Sequence, residues 1–167
     1  MIERTLILLK PDAIQRGIIG EILTRFERAG LKIVGAKMLS PDKSRYEQHY
    51  EGISKMITRR GQEAFDVTVA FMMSGPVIAI VLEGIQAVAL VRKMVGTTEP
   101  KEAQPGTIRG DYAHISFDYA NSNGTSIPNL IHASGDPEEA KQEISLWFQP
   151  EELLEYHLAH ESHIRGK

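Results

Sequence analysis

Apolar and polar positions along the chain change period from segment to segment, and each change predicts an element. Thr5 to Leu9 is an unbroken apolar run ending at Lys10-Pro11-Asp12; this predicts a buried strand whose C-terminal end delivers a lysine into a turn. From Gly20 to Ala29, Ile22, Leu23 and Phe26 recur at helical spacing among Glu21, Arg25, Glu27 and Arg28, with Gly30 as the stop. Leu31 to Leu39 alternates as a second strand. Ser40-Pro41-Asp42 then supplies an N-cap and a proline at the first helical position, opening a short helix with Tyr46, His49 and Tyr50. Gly52 to Met73 is helical in pattern but interrupted at Gly61, which predicts two pieces and an exposed basic bend at Arg59-Arg60. After the turn Ser74-Gly75-Pro76, the β-branched run Val77 to Leu82 predicts a central strand ended by Gly84.

Ile85 to Val95 returns to helical periodicity and includes Arg92, whereas Gly96 to Pro128 is rich in Gly, Pro, Ser, Thr and Asn and reads as one long excursion. A loop of that length inside a compact domain is normally functional or disordered. A strand with Ile131 and His132 follows. Next comes a helix with Asp136 as N-cap, Pro137 at its first position, Glu138 and Glu139 complementing its dipole, and an end near Trp147. Pro150-Glu-Glu-Leu-Leu154 predicts one more short helix before a polar terminus, and no repeat or linker divides the chain. The order of elements predicts an α+β class with a ferredoxin-like βαββαβ architecture in one domain over residues 1–167. Its four-stranded antiparallel sheet would expose one face, with additional helices and the long loop walling a cleft.

Composition narrows the function. With 42% hydrophobic and 25% charged residues among 167, the chain has the make-up of an ordinary globular protein. A net charge of −3 offers no general attraction to nucleic acid or anionic membrane, so phosphate binding must come from a local cluster, and the balance favours a small anionic ligand. Without cysteine there are no disulfides, thiolate nucleophiles or thiolate metal sites, which fits a reducing compartment. No secretory signal pattern and no bilayer-length apolar segment is present, so a cytoplasmic protein is expected.

His132 lies in Asn129-Leu-Ile-His-Ala-Ser134. A neutral imidazole fixed at a strand end with one nitrogen free can attack a phosphoryl group; taken alone, a half-buried structural histidine is the simpler reading. Lys10, Arg92, Thr98 and Arg109 are candidate phosphate ligands, although any one of them alone reads as a solvated surface group. Arg109 stands out because Gly106 and Gly110 flank it and permit close backbone approach. Glu143 shares a helix face with Ala140 and Trp147. It can reach back to fix the imidazole tautomer, or it can be an exposed glutamate on the Lys141 side. His157, His160 and His163 repeat at three-residue spacing, but no carboxylate or cysteine pattern accompanies them, so a solvated tail is favoured over a metal site.

Lys10-Pro-Asp12, His49-Tyr50, Ser74-Gly-Pro76, Glu83-Gly84, Pro105-Gly-Thr-Ile-Arg-Gly-Asp111, Asn129-Leu-Ile-His-Ala-Ser134 and Trp147-Phe148 occur in an order that resembles the nucleoside diphosphate kinases over almost the whole chain. The resemblance implies a phosphotransferase. The γ-phosphate of a nucleoside triphosphate would pass to His132 and then, ping-pong, to a nucleoside diphosphate. His132, Lys10, Glu143 and Tyr50 would form the catalytic set. Lys10, Tyr50, Arg92, Thr98 and Arg109 fall on positions that hold phosphates, Asn129 and Lys10 on positions that contact ribose, and Ser134 supports the histidine among the nucleotide-binding residues. Mg2+ would be carried by the nucleotide phosphates with no protein metal cage. A homo-oligomer follows, whether hexamer, tetramer or dimer, with no membrane and no specific nucleic acid as partner.

Departures from the pattern lie near 52–64 and 112–128, where the chain is longer. Counting back from Ser74 puts Ala64, Phe65 and Thr68 at the base-clamping positions, with Phe65 as the aromatic that stacks on the base. Arg59, Arg60 and Gln62 are the candidates for a phosphate-contacting arginine position. The second extra stretch is expected to make a surface hairpin or a subunit contact, and Ala133 replaces a common glycine, a mild change that leaves activity intact. The competing reading is a nucleotide-binding oligomeric scaffold or regulator with weakened catalysis. Nucleic-acid binding ranks below both, for want of a basic face.

Overall fold

The apolar run that opens the chain is enclosed from both sides. In strand β1 (Ile2–Leu9) the five residues Thr5 to Leu9 are all buried; Ile7 and Leu9 enter one core cluster while Leu6 and Leu8 enter another. A strand covered on both faces needs a continuous apolar stretch instead of an alternating one. The expectation of a sheet with one open face is therefore corrected.

The structure, a computed structural model, describes residues 1–166. β1 lies between β3 (Val77–Ile85) and β4 (Ile131–Ala133), and β2 (Lys32–Leu39) borders β3, giving the order β2-β3-β1-β4 with every pair antiparallel. This is the ferredoxin-like arrangement predicted for an α+β chain. Helices α1 (Pro11–Gln15) and α2 (Ile19–Arg28) follow β1; α3 (Lys43–Glu47), α4 (Met56–Arg60) and α5 (Gln62–Met72) lie between β2 and β3. Between β3 and β4 come α6 (Ala87–Val95), α7 (Ile108–Tyr112) and α8 (Phe117–Ser122); α9 (Pro137–Trp147) and α10 (Glu161–Arg165) complete the chain. α2, α6 and α7 cover one sheet face through Ile22, Phe26, Val91 and Ile108. The second face is closed by Tyr46, Phe65, Val69, Met72 and Trp147.

Several boundaries differ from the sequence reading. The helix after β2 is capped by Asp42, whose carboxylate accepts the Arg45 amide at 2.9 Å, and not by Ser40. From Gln48 to Ile53 that helix continues as a π-helical turn, a distortion common at functional sites. β3 runs through Gly84, which pairs with Glu3. Gly61 separates α4 from α5 at φ +89°, a conformation glycine adopts without strain. The excursion from 96 to 128 is not a plain loop: a 3-10 turn at Pro100–Glu102 precedes α7 and α8. The expected hairpin there is α8 instead, because the Ser116 side chain caps Tyr119.

Candidate active site

β4 is only three residues long and places His132 opposite Leu8. The start of α9 is fixed by Asp136, whose Oδ1 accepts the Glu138 and Glu139 amides at 2.9 and 2.8 Å. That start turns Ala140, Glu143 and Trp147 inward. Glu143 Oε1 then lies 2.8 Å from His132 Nε2, and the Ser134 hydroxyl donates to Oε2 at 2.6 Å. Burial pushes the Glu143 carboxyl up, but the contacts with His132 and the Ser134 hydroxyl outweigh it and hold it well below the usual carboxylate range. The carboxylate is an acceptor only, so Nε2 carries the proton and the lone pair of the neutral ring sits on Nδ1. Of the two readings open for Glu143, the geometry favours the one in which it orients the imidazole.

A cavity of about 750 Å³ opens beside this ring. Lys10, Arg59, Arg60, Arg92 and Arg109 line it against the carboxylates of Asp136 and Glu139, so a chain of net negative charge concentrates cations at one place. Lys10 caps the end of β1, where its ammonium donates to Asn129 Oδ1 at 2.7 Å. Burial, and then Arg109, bring its pKa down to about 7. Asn129 donates onward to the Thr98 carbonyl at 2.8 Å. The Tyr50 ring lies 6.5 Å from that of His132, and its buried hydroxyl has no partner among the described residues. Burial raises the phenol's pKa, so that hydroxyl stays a donor.

Arg109 is built differently from the expectation. Its Nε donates to the Asn129 carbonyl at 3.1 Å, Nη1 to those of Gly96 and Thr97 at 3.0 and 3.1 Å, and Nη2 to that of Ile131 at 2.5 Å. Four of five guanidinium hydrogens therefore hold backbone together, leaving one on Nη2 for a ligand. Gly110 allows close approach of the chain to itself, since a Cβ there would collide with the Gln104 carbonyl.

Lys10, Tyr50, Arg92, Thr98, Arg109, Asn129 and His132 thus share one cavity. Ser134 does not line it; fully buried, it bridges Glu143 to β1 through the Leu6 amide at 3.2 Å. Phe65 is likewise corrected: it is 5% exposed, packs in the second core cluster, and does not reach the cavity as a base-stacking ring. Thr68, Met56 and Ile127 supply the apolar wall instead. Gln62 turns away to Asp66, whereas Arg59 and Arg60 both line the mouth.

Two residues near the site belong to motifs of the resemblance, but the sequence assigns them no role. His49 is fully buried, with its ring centroid 4.5 Å from that of His132 and its Nδ1 accepting the Trp147 indole N–H at 3.2 Å. Burial, then His132, lower its pKa to about 3, so it stays neutral. Asp12 accepts the Leu130 amide at 2.9 Å. His49, His132 and Glu143 offer ligand atoms within 4.8 Å of one another; Glu143 is engaged by His132 and Ser134 and His49 Nδ1 by the indole, while His49 Nε2 has no partner among the described residues. Among the described residues no such cluster includes His157, His160 or His163.

The family model of nucleoside diphosphate kinase matches residues 3–153. A relative of that name from Pyrococcus furiosus is 49% identical, covering 93% of this chain and 88% of its own. A solved transition-state mimic of nucleoside-diphosphate kinase from Borrelia burgdorferi, with bound vanadate and ADP, superposes with a TM-score of 0.94 at 42% identity over 97% of this chain and 96% of that one. The halophilic nucleoside diphosphate kinase from Halobacterium salinarum in complex with CDP gives 0.83 at 37% identity over 98% and 99%.

Proposed function

The chain belongs to the nucleoside diphosphate kinase family and is a phosphotransferase of that kind; from this premise we propose that His132 Nδ1 carries the phosphoryl group between nucleotides. The observation that carries the reading is the 2.8 Å contact of Nε2 with a buried, ionised Glu143, which leaves Nδ1 as the free lone pair. In the first half-reaction that lone pair forms a bond to the γ-phosphorus while the bond to the β–γ bridging oxygen breaks, and the nucleoside diphosphate departs with those electrons. Nδ1 has no proton to lose, and the positive charge gained by the ring is balanced by Glu143. In the second half-reaction a terminal oxygen of a different diphosphate attacks the same phosphorus and the N–P bond breaks.

Positioning and charge stabilisation dominate such a transfer. Lys10 and the Tyr50 hydroxyl are placed to donate at the reacting end, with Arg92, Thr98 and the remaining Nη2 hydrogen of Arg109 along the phosphate chain. Asn129 and Lys10 are the ribose contacts. The vanadate and ADP bound in the Borrelia burgdorferi relative support phosphoryl transfer involving a nucleoside diphosphate as the reaction. Mg2+ fits as an ion brought in on the phosphates, since the cavity wall offers five cationic side chains and only Asp136 and Glu139 as carboxylates. When bound it supplies further neutralisation of phosphate charge. Base selectivity is low in this reading, because Met56, Thr68 and Ile127 offer shape and apolar contact more than hydrogen bonds.

The longer stretches near 52–64 and 112–128 are proposed as additions that border the mouth, within one domain. A homo-oligomer is proposed as well: Met38 on the edge strand β2 is 59% exposed, and exposed strand edges are natural pairing surfaces; light scattering measures the number of subunits. Among the described residues no helix is long and apolar enough to cross a membrane, and a cytoplasmic location is proposed. Incubation with γ-labelled ATP tests the central step. Acid-labile, alkali-stable label on the protein is expected, and its persistence in His132→Ala would overturn the assignment.

A further inference from the structure

Leu130 stands between the ribose contact Asn129 and the strand of His132, and its backbone is in the left-handed region at φ +72°. For a residue other than glycine that conformation carries a strain on the order of 1–3 kcal/mol and persists only where the surroundings over-determine it. Glycine would remove the strain but not fill the space, since the Leu130 side chain is fully buried in the first core cluster. Both polar groups of the Leu130 backbone go to a single turn: its carbonyl accepts the Lys10 amide at 2.9 Å, and its amide donates to Asp12 Oδ2 at 2.9 Å.

Asp12 itself is 9% exposed and does not line the cavity. Its Oδ1 is buried without a hydrogen-bond partner among the described residues. Burial pushes the Asp12 carboxyl up, although Lys10 and the Leu130, Asp12 and Ala13 amides favour its charged form, so a charge kept here at that cost calls for a use. The charge has a use because two cations grip the same backbone: Arg109 holds the Asn129 and Ile131 carbonyls on either side of Leu130, and the Lys10 amide holds the Leu130 carbonyl; Asp12 accordingly opposes the lowering of both cations' pKa values.

We propose that Asp12 is a positioning residue for phosphoryl transfer: its carboxylate locks Leu130 in the left-handed conformation that sets Asn129 against His132, and acts from behind the cavity as counter-charge to Lys10 and Arg109. The proposal rests on the His132 reading above. The charged and titratable groups facing this pair are Arg60 from α4, Arg109 from α7 with Arg92 beside it, and His49 and Tyr50 from the π-helical turn. Removing the negative charge leaves Lys10 among cations, so its ammonium gives up its proton at lower pH.

Two variants separate the two tasks. Asp12→Asn keeps an oxygen for the Leu130 amide and removes the charge; Asp12→Ala removes both. Single-turnover labelling of the protein by γ-labelled ATP is measured against pH, with thermal melting as the check on folding. In Asp12→Ala the labelling rate at saturating ATP is expected to fall about 100-fold, the scale of a misplaced reacting group. In Asp12→Asn that rate stays within about threefold of the parent while the alkaline breakpoint of kcat/KM moves down by about one pH unit. Parental labelling rates in Asp12→Ala, or a pH profile of Asp12→Asn that superimposes on the parent's, would overturn the proposal. Should Asp12→Ala not fold, the profile of Asp12→Asn decides alone. If the parent chain itself takes no label, the His132 reading has failed rather than this one.

Discussion

The cavity has a floor and a rim, and they are made in opposite ways. On the floor, Lys10, Asn129 and Arg109 are buried and hydrogen-bonded together, and His132 is held from beneath by the buried pair Glu143 and Ser134. On the rim, Arg59, Arg60, Arg92 and Thr98 are exposed. There Arg59 reaches Glu139 only at 4.0 Å, and Arg60 lies over the Phe117 ring at 5.6 Å. Chemistry that depends on a fixed lone pair belongs to the floor, where position is over-determined. The rim contributes charge that a ligand can arrange, and such exposed pairs are individually weak.

If that division holds, the largest effect comes from breaking the floor at its most buried bond. Glu143→Gln keeps the shape but removes the charge that fixes the tautomer. The rate of His132 phosphorylation should fall by about 10²- to 10⁴-fold, as when a carboxylate orienting a histidine is neutralised. The KM for ATP should change little, because Glu143 does not line the cavity. A matched rise in KM instead would place Glu143 in binding and blur the distinction. Next in size, Phe65→Ala should lower stability by about 3–5 kcal/mol through loss of core packing, read by chemical denaturation, with KM close to parental. Met56→Ala should show the reverse pattern.

Much of the floor was legible because its motifs are local. Lys10 follows an apolar run that ends in a proline turn, and Asp136-Pro137 fixes where α9 begins and so where Glu143 points. The same run was misread: Leu6 to Leu9, four apolar residues in succession after Thr5, leave no polar side to turn outward, yet the sheet was expected to expose one face. Phe65 was misplaced by counting from Ser74, although Phe65, Val69 and Met72 form a core stripe at helical spacing. His49 and Asp12 stood in recognised motifs, but their roles were out of reach. Their significance comes from partners about 80 to 120 residues away, Trp147 and His132 for one and Leu130 for the other, and no local period encodes that meeting.

Lys10 sharpens the comparison through pH. Its ordinary value of 10.5 is lowered to about 7 in the fold, so between those values the unfolded chain binds more protons and stability from this group rises with pH. An anionic nucleotide reverses the shift by offsetting the repulsion from Arg109. Binding of ADP at about pH 8 should therefore take up protons, and at about pH 6 it should take up few from this group. Calorimetry in buffers of different ionisation enthalpy measures the difference. Buffer-independent heats at the higher pH would mean that Lys10 is already charged, and that the floor is better solvated than its burial implies.

The smallest effect belongs to the rim. Arg60→Ala removes one exposed cation that approaches Phe117 and faces Lys10 and Arg109. Losing it should raise the KM for nucleotide by about threefold to tenfold, the scale of one partly screened phosphate contact, with kcat nearly unchanged. The penalty should shrink as salt is added, because screening weakens an exposed charge far more than a buried one. A loss of kcat that is indifferent to salt would show Arg60 acting in the transition state, and α4 would then belong with the floor.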